Sequence, residues 1–176
     1  MKQQQSGFTL VELLTAAAII LILTTFVLAN YPAIGKGFAL ERSAERLAQE
    51  LRSMQQKSVS MEEVSGTVPK GYGIYFNTAS PYSYNNFADS DGDFQWGEGV
   101  DTLLNAIELE SNIEIGALES GGSPVGSLSI VFEPPDPTTW IGNSSSSTST
   151  ITLQLETDPE KTKTIYVNSA GLITTQ

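Results

Sequence analysis

Cysteine and histidine are both missing from this chain of 176 residues. Without thiols there is neither a disulfide nor a thiolate metal centre. Without imidazole the usual general base, metal ligand and near-neutral pH switch is gone. Positive charge is scarce as well: 9 Lys and Arg stand against 20 Asp and Glu, for a formal net charge of −11. Beyond Lys57 the only basic side chains are Lys70, Lys161 and Lys163. Nucleic-acid binding draws most of its affinity from Lys and Arg neutralising phosphates, so no nucleic-acid partner is expected. The chain has no internal repeat and no glycine-rich phosphate loop. Glu108, Glu110 and Glu114 could imitate the carboxylate pair of a glycosidase. Glutamates alternating with isoleucines are, however, what any solvated strand face shows. No enzymatic activity is expected.

What is present is concentrated near the start. Residues 7–14 read Gly-Phe-Thr-Leu-Val-Glu-Leu-Leu, after a polar stretch from Met1 to Ser6 with one positive charge at Lys2. From Phe8 the chain is apolar through Tyr31, interrupted only by threonines, Asn30 and Glu12. As a helix at about 1.5 Å per residue this run spans roughly 36 Å, enough to cross a hydrocarbon core of about 30 Å. A carboxylate buried in such a run commonly costs about 2.5–3.5 kcal/mol on insertion scales, so Glu12 needs a partner. A cut between Gly7 and Phe8 would create one. The new α-ammonium lies four residues before Glu12, on the same helix face, and could equally meet Glu12 of a neighbouring copy. A conventional secretory signal has its apolar region before the cut and small residues at it; here the apolar run follows Gly7 and stays in the mature chain. Lys2 places the start on the cytoplasmic side by the positive-inside rule.

These residues resemble the class III signal of type IV prepilins and pseudopilins, and Gly7, Phe8, Thr9, Leu10, Val11, Glu12, Leu13 and Leu14 match it without a gap. The resemblance implies that prepilin peptidase cuts after Gly7 and N-methylates Phe8, and that Glu12 guides the subunit into a filament. It implies a leader at 1–7, an N-terminal helix at 8–65 and an extracytoplasmic head at 66–176. The implied partners are the peptidase, other pilin or pseudopilin subunits, an inner-membrane assembly platform and membrane lipid. An ordinary signal anchor that happens to carry a Glu is the plain alternative.

Pro32, with Gly35 and Gly37 behind it, interrupts the pattern. A proline inside a helix removes a backbone hydrogen bond and kinks or ends it; an end of the membrane segment at 8–31 and local melting of a longer helix both fit. Over 38–62 the sequence becomes amphipathic. Leu40, Ala44, Leu47, Leu51 and Met54 recur at spacings of four and three, which makes one apolar stripe. Charged residues fill the other faces. The stripe is expected to pack on a globular head; a coiled coil is the alternative, for which about two heptads is short. The helix should fade over Ser58 to Val64.

From Gly71 onward the chain reads as strands and turns. Gly71–Phe76 is aromatic and β-favouring. Ile107, Leu109, Ser111, Ile113 and Ile115 alternate with polar residues as one strand or two. Leu128–Phe132 stops at Pro134-Pro135-Asp136-Pro137. Ile151, Leu153 and Leu155 alternate with polar residues before a turn at Asp158-Pro159. Ile165–Ile173 reads as a terminal hairpin, and Ser144–Ser149 as a flexible exposed loop. A long helix followed by strands is an α+β arrangement, with the helix packed on a small antiparallel head of one sheet or two packed sheets. The head resembles the H-type pseudopilins and related minor pilins at Gly73-Ile74-Tyr75-Phe76, Phe87-Ala88-Asp89 and Val167–Ile173. This implies a low-abundance subunit near a filament tip.

One cluster remains. Asp89, Asp91 and Asp93 alternate around Gly92, with Glu98 and Asp101 shortly after. Close carboxylates around a glycine turn suit calcium, with Asp89, Asp91 and Asp93 as ligands and Glu98 or Asp101 completing the shell. The spacing is not an EF-hand, and a solvated Asp-Gly turn is the alternative. No cofactor is required otherwise. The sequence leads to a minor pilin or pseudopilin, a structural subunit of a type IV pilus-like or type II secretion filament. Such a subunit waits in the cytoplasmic membrane with its head outside, then joins a periplasmic or extracellular filament. The alternative is a membrane-tethered binding module, calcium-dependent or not, that does not polymerise.

Overall fold

The computed structural model describes residues 8–176, except for the side chains of residues 29–36. The leader at 1–7, including Gly7, lies outside the described residues. By its contacts the chain divides between Gly37 and Phe38, and the two units are described in turn.

The one helix among the described residues, α1 (Leu10–Ser60), begins in the first unit. Its stretch Leu10–Leu28 has a mean hydropathy of 2.4 and none of it is buried within the chain. Apolar side chains face outward all round, which suits lipid or packed helices rather than water. Its hydroxyls are satisfied internally: Thr15 Oγ1 donates to the Glu12 carbonyl, Thr24 to that of Ile20, and Thr25 to that of Leu21. Such back-bonding removes the penalty of an unpaired polar group in hydrocarbon. Pro32 does not end the helix, whose backbone is helical from Leu10 through to Ser60.

In the second unit the remainder of α1 lays its stripe on a core. Leu40, Ala44, Leu47, Leu51 and Met54 are all buried, joined by Ala48. The helix stops where Met61 turns to positive φ, with the Glu62 N–H closing on the Lys57 carbonyl.

Two five-stranded antiparallel sheets follow. The first holds β1 (Gly71–Asn77), β2 (Ser83–Asp89), β3 (Thr102–Glu108), β6 (Ser127–Glu133) and β7 (Thr138–Ile141), in the order β3-β2-β1-β6-β7. The second holds β4 (Ile113–Ser120), β5 (Ser123–Pro124), β8 (Thr148–Leu155), β9 (Asp158–Asn168) and β10 (Ile173–Thr175), in the order β10-β9-β8-β4-β5. The chain is therefore α+β, as its pattern of one long helix and later strands indicates. The core draws Ile74, Phe76 and Ile130 from the first sheet, Ile151, Leu153 and Ile165 from the second, and the stripe of α1. Charged residues flanking the stripe bond to both sheets and to the β3–β4 loop: Glu50 to Asn86, Glu41 to Lys163, Arg52 to the Ile173 carbonyl, and Arg42 to Glu110 in the loop.

Two local readings change, and an open one is resolved. The alternating run 107–115 is broken by a turn at Asn112, which has positive φ. Its halves lie in different sheets, so Glu108 and Glu114 share no face. Asp158-Pro159 is not the turn; Glu156-Thr157 is, and Pro159 sits in a bulged stretch of β9 between the Asp158 and Thr162 pairings. A proline needs no ladder partner there. Ser149, expected in an exposed loop, is buried in β8, and Ser144 bridges to Ile141. Strands β2, β5 and β7 carry too few periodic apolar residues to stand out in sequence.

Candidate functional site

The first candidate is the start of α1. Leu10 is the first helical residue, which makes Thr9 the N-cap and Glu12 the third residue of the first turn. The Glu12 N–H donates to Thr9 Oγ1 at 3.2 Å, and the Thr9 hydroxyl faces Glu12 Oε2 at 3.5 Å. This is half of a capping box. Glu12 thus has a structural role independent of any partner: a carboxylate in the first turn is favoured by the helix dipole. The signal for this cap is the Thr-x-x-Glu spacing of Thr9 and Glu12, visible in the sequence beside the cleavage signal. Phe8 precedes the cap and is exposed. An α-ammonium at Phe8 would stand one residue before the cap, beside the positive end of the helix. The carboxylate of Glu12 is the only acidic group on the stretch 8–28 to balance it.

The second candidate is the loop from Ser90 to Asp101, which folds over the outer face of the first sheet. The Trp96 ring packs against Phe87 with centroids 5.3 Å apart, and the Trp96 backbone N–H donates to Ser129 Oγ at 3.1 Å. Phe94 stacks on Trp140 at 4.2 Å. Gly71 and Gly73 on β1 leave this face flat: a Cβ on either would fall within 3 Å of Val131.

Within this loop the structure brings Asp89 and Asp91 together with Asp101, one oxygen of each within 4.8 Å of the others. Asp93 and Glu98 are not in that group. Asp89 is buried at the end of β2 and accepts the N–H groups of Gly92 at 2.6 Å and Phe94 at 3.0 Å. Asp101 accepts those of Ser90 and Gly97, Asp91 that of Asp93, and Asp93 that of Gln95. Burial pushes the Asp89 carboxyl above its ordinary range. The two backbone donors pull the other way, and the neighbouring Asp101 and Asp91 charges add to the rise. The carboxylates therefore act first as acceptors that tie a tight loop to its own backbone.

Glu110 is placed elsewhere, held by Arg42 at 2.7 Å; this pair holds its carboxyl below the usual range. Glu114 accepts the side-chain amide of Gln154 at 2.8 Å. The three glutamates considered as a carboxylate set are thus engaged separately or apart.

No curated protein and no solved structure matches the chain. Residues 2–28 match a family model described as a prokaryotic N-terminal methylation motif. That segment contains Gly7, Phe8 and Glu12, and its match supports a type IV pilin-like chain with an N-terminus of the kind prepilin peptidase processes.

Proposed function

We propose that this chain is a minor pilin or H-type pseudopilin, a structural rather than catalytic subunit of a pilus-like or secretion filament. The match over residues 2–28 carries the reading. Prepilin peptidase hydrolyses the Gly7–Phe8 bond at the cytoplasmic face, and the freed amine of Phe8 is methylated. The apolar stretch 10–28 holds the subunit in the membrane with its head outside. During assembly it exchanges lipid for the helices of neighbouring subunits, a transfer between two apolar surroundings that keeps its side chains out of water. The Phe8 ammonium of one subunit then meets Glu12 of its own chain or a neighbour's, which neutralises both charges inside the bundle.

The test is the intact mass of the full chain co-expressed with a prepilin peptidase, beside Gly7→Leu. A product beginning at methylated Phe8, lost in the variant, supports processing. Co-sedimentation with filaments, lost in Glu12→Leu while cleavage persists, supports assembly. An uncut chain overturns the reading. A cut chain that never enters filaments leaves the tethered binding module as the better account.

A further inference from the structure

We propose that the outer edge of β3 (Thr102–Glu108) is a docking site for an extended, basic segment of another protein, which adds to the first sheet as a further strand. The two sheets have four outer edges, at β3, β7, β10 and β5. Exposed edges offer unpaired N–H and C=O groups, and proteins blunt them by shortness, proline, charge or cover. Three of the four are treated in this way. Strand β5 has two residues, one of them Pro124. Strand β7 has four and follows Pro137 directly. Strand β10 has three and is covered from α1, whose Arg52 bonds the Ile173 carbonyl and whose Glu45 bonds Thr175.

Strand β3 is blunted only by a bulge in its first half and by the charge of Glu108 at its end. It runs for seven residues without proline or lysine. A bulge at Leu104 interrupts its first half, and from Asn105 to Glu108 its pairing with β2 is regular. Leu104 and Ile107 pack toward the core, while Leu103, Asn105, Ala106 and Glu108 are exposed. The direction of the free groups follows from the ladder. Leu109 N–H donates to the Tyr82 carbonyl, so residues 109, 107 and 105 turn their polar groups toward β2. By the alternation of an antiparallel pair, Ala106 and Glu108 turn theirs outward.

Charge selects the occupant. From Gly71 to Glu160 the chain has no Lys or Arg. Asp101 is occupied by Ser90 and Gly97, and Glu110 by Arg42. Glu108 carries no ion pair among the described residues and stands on the open edge. A second copy brings no Lys or Arg on its own β3, so no register of such a pairing sets a cation opposite Glu108. A strand bearing Lys or Arg opposite Glu108 gains a cross-strand charge pair. This inference does not depend on filament assembly.

The test uses the full chain in detergent micelles and fluorescently labelled peptides of sequence Lys-Val-Thr-Val-Thr-Val-Lys, with a Glu-flanked counterpart. Ala106→Pro removes an outward donor and no β2–β3 hydrogen bond, so the head melts as before. The expected result is binding of the basic peptide that Ala106→Pro weakens about tenfold or more, the effect of leaving one strand-pairing carbonyl without its donor. Glu108→Lys should reverse the preference toward the Glu-flanked peptide. Binding unchanged by Ala106→Pro, or absent for both peptides, overturns the site. A dimer of the chain that Ala106→Pro dissolves overturns the basic partner in favour of a second copy.

Discussion

Substituting Gly73 by Ala tests how the acidic loop is seated. A Cβ at this position of β1 would lie 2.8 Å from the Ile130 carbonyl oxygen, 2.8 Å from Val131 Cγ2 and 2.9 Å from Phe87 Cε1. None of the three can withdraw easily. The carbonyl belongs to β6, which is paired with β1 on one side and β7 on the other. Phe87 is fully buried and held by the Trp96 ring. Forcing a methylene-sized group into a packed site costs about 1–3 kcal/mol, and three blocked contacts place this one near the top. Losing glycine from a strand interior returns about 0.5–1 kcal/mol. The net expectation is a loss of about 2 kcal/mol, or a melting midpoint lower by roughly 6–10 °C for a head of this size. Trp96 and Trp140 are the chain's two tryptophans and both lie in the head. Tryptophan fluorescence of the full chain in micelles during urea unfolding therefore reports the head alone. Gly126→Ala is the control: its Cβ would meet nothing nearer than Thr78 Oγ1 at 3.9 Å, and its effect should stay within about 0.5 kcal/mol. Equal midpoints for the two variants would refute the argument.

Four further outcomes are expected from the same unfolding assay. Leu51→Ala empties a fully buried position of the stripe and should cost about 2–5 kcal/mol; Val59→Ala, on the exposed face, should change stability by less than about 0.5 kcal/mol. Because the Asp89 carboxyl is pushed above its ordinary 3.8, the folded head holds that proton more tightly than the unfolded chain does. Its contribution therefore falls as pH rises from 3.8 through the raised value, and urea midpoints across that range should lose this slope in Asp89→Asn. Glu110, held low by Arg42, acts in the opposite sense: its stabilisation is present above its ordinary 4.5 and fades on acidification. Asp91→Asn removes one of three facing carboxylates and should raise the midpoint in chelator. Millimolar calcium should erase that gain if the wild-type cluster takes the ion, and leave it untouched if the loop is held by its own N–H groups.

The N-terminal features were legible because they are one-dimensional. A membrane-length apolar run and a Glu four residues past a Phe need only spacing, and the stripe Leu40–Met54 needs only a helical period. The strands of the core, such as Leu128–Phe132 and Ile151–Leu155, stood out for the same reason. The outer face of the first sheet was not legible. Its packing depends on Gly71 and Gly73 lying opposite Val131 across some sixty residues of sequence (Gly73 is paired with Val131). Asp101 joins Asp89 and Asp91 only because a loop closes, whereas Asp93 and Glu98, nearer in sequence, point elsewhere. The edge on β3 was hidden because the apolar residues Leu103, Leu104 and Ile107 do not show by themselves which strands pair on either side of them.

The two sheets are interleaved along the chain. Strands β4 and β5 leave for the second sheet before β6 and β7 return to complete the first. Neither sheet can be finished as a continuous stretch of synthesis, and the helix that seals both is made before either. A nascent chain halted after β5 holds three strands of one sheet beside two unsupported strands of the other, with apolar faces open on each. Long-range pairing of this kind is slow to form and exposes edges while it waits. The head should accordingly gain its structure in one late step, once β8 and β9 have emerged, and any truncation before Asn168 should yield an aggregating chain rather than a smaller folded one.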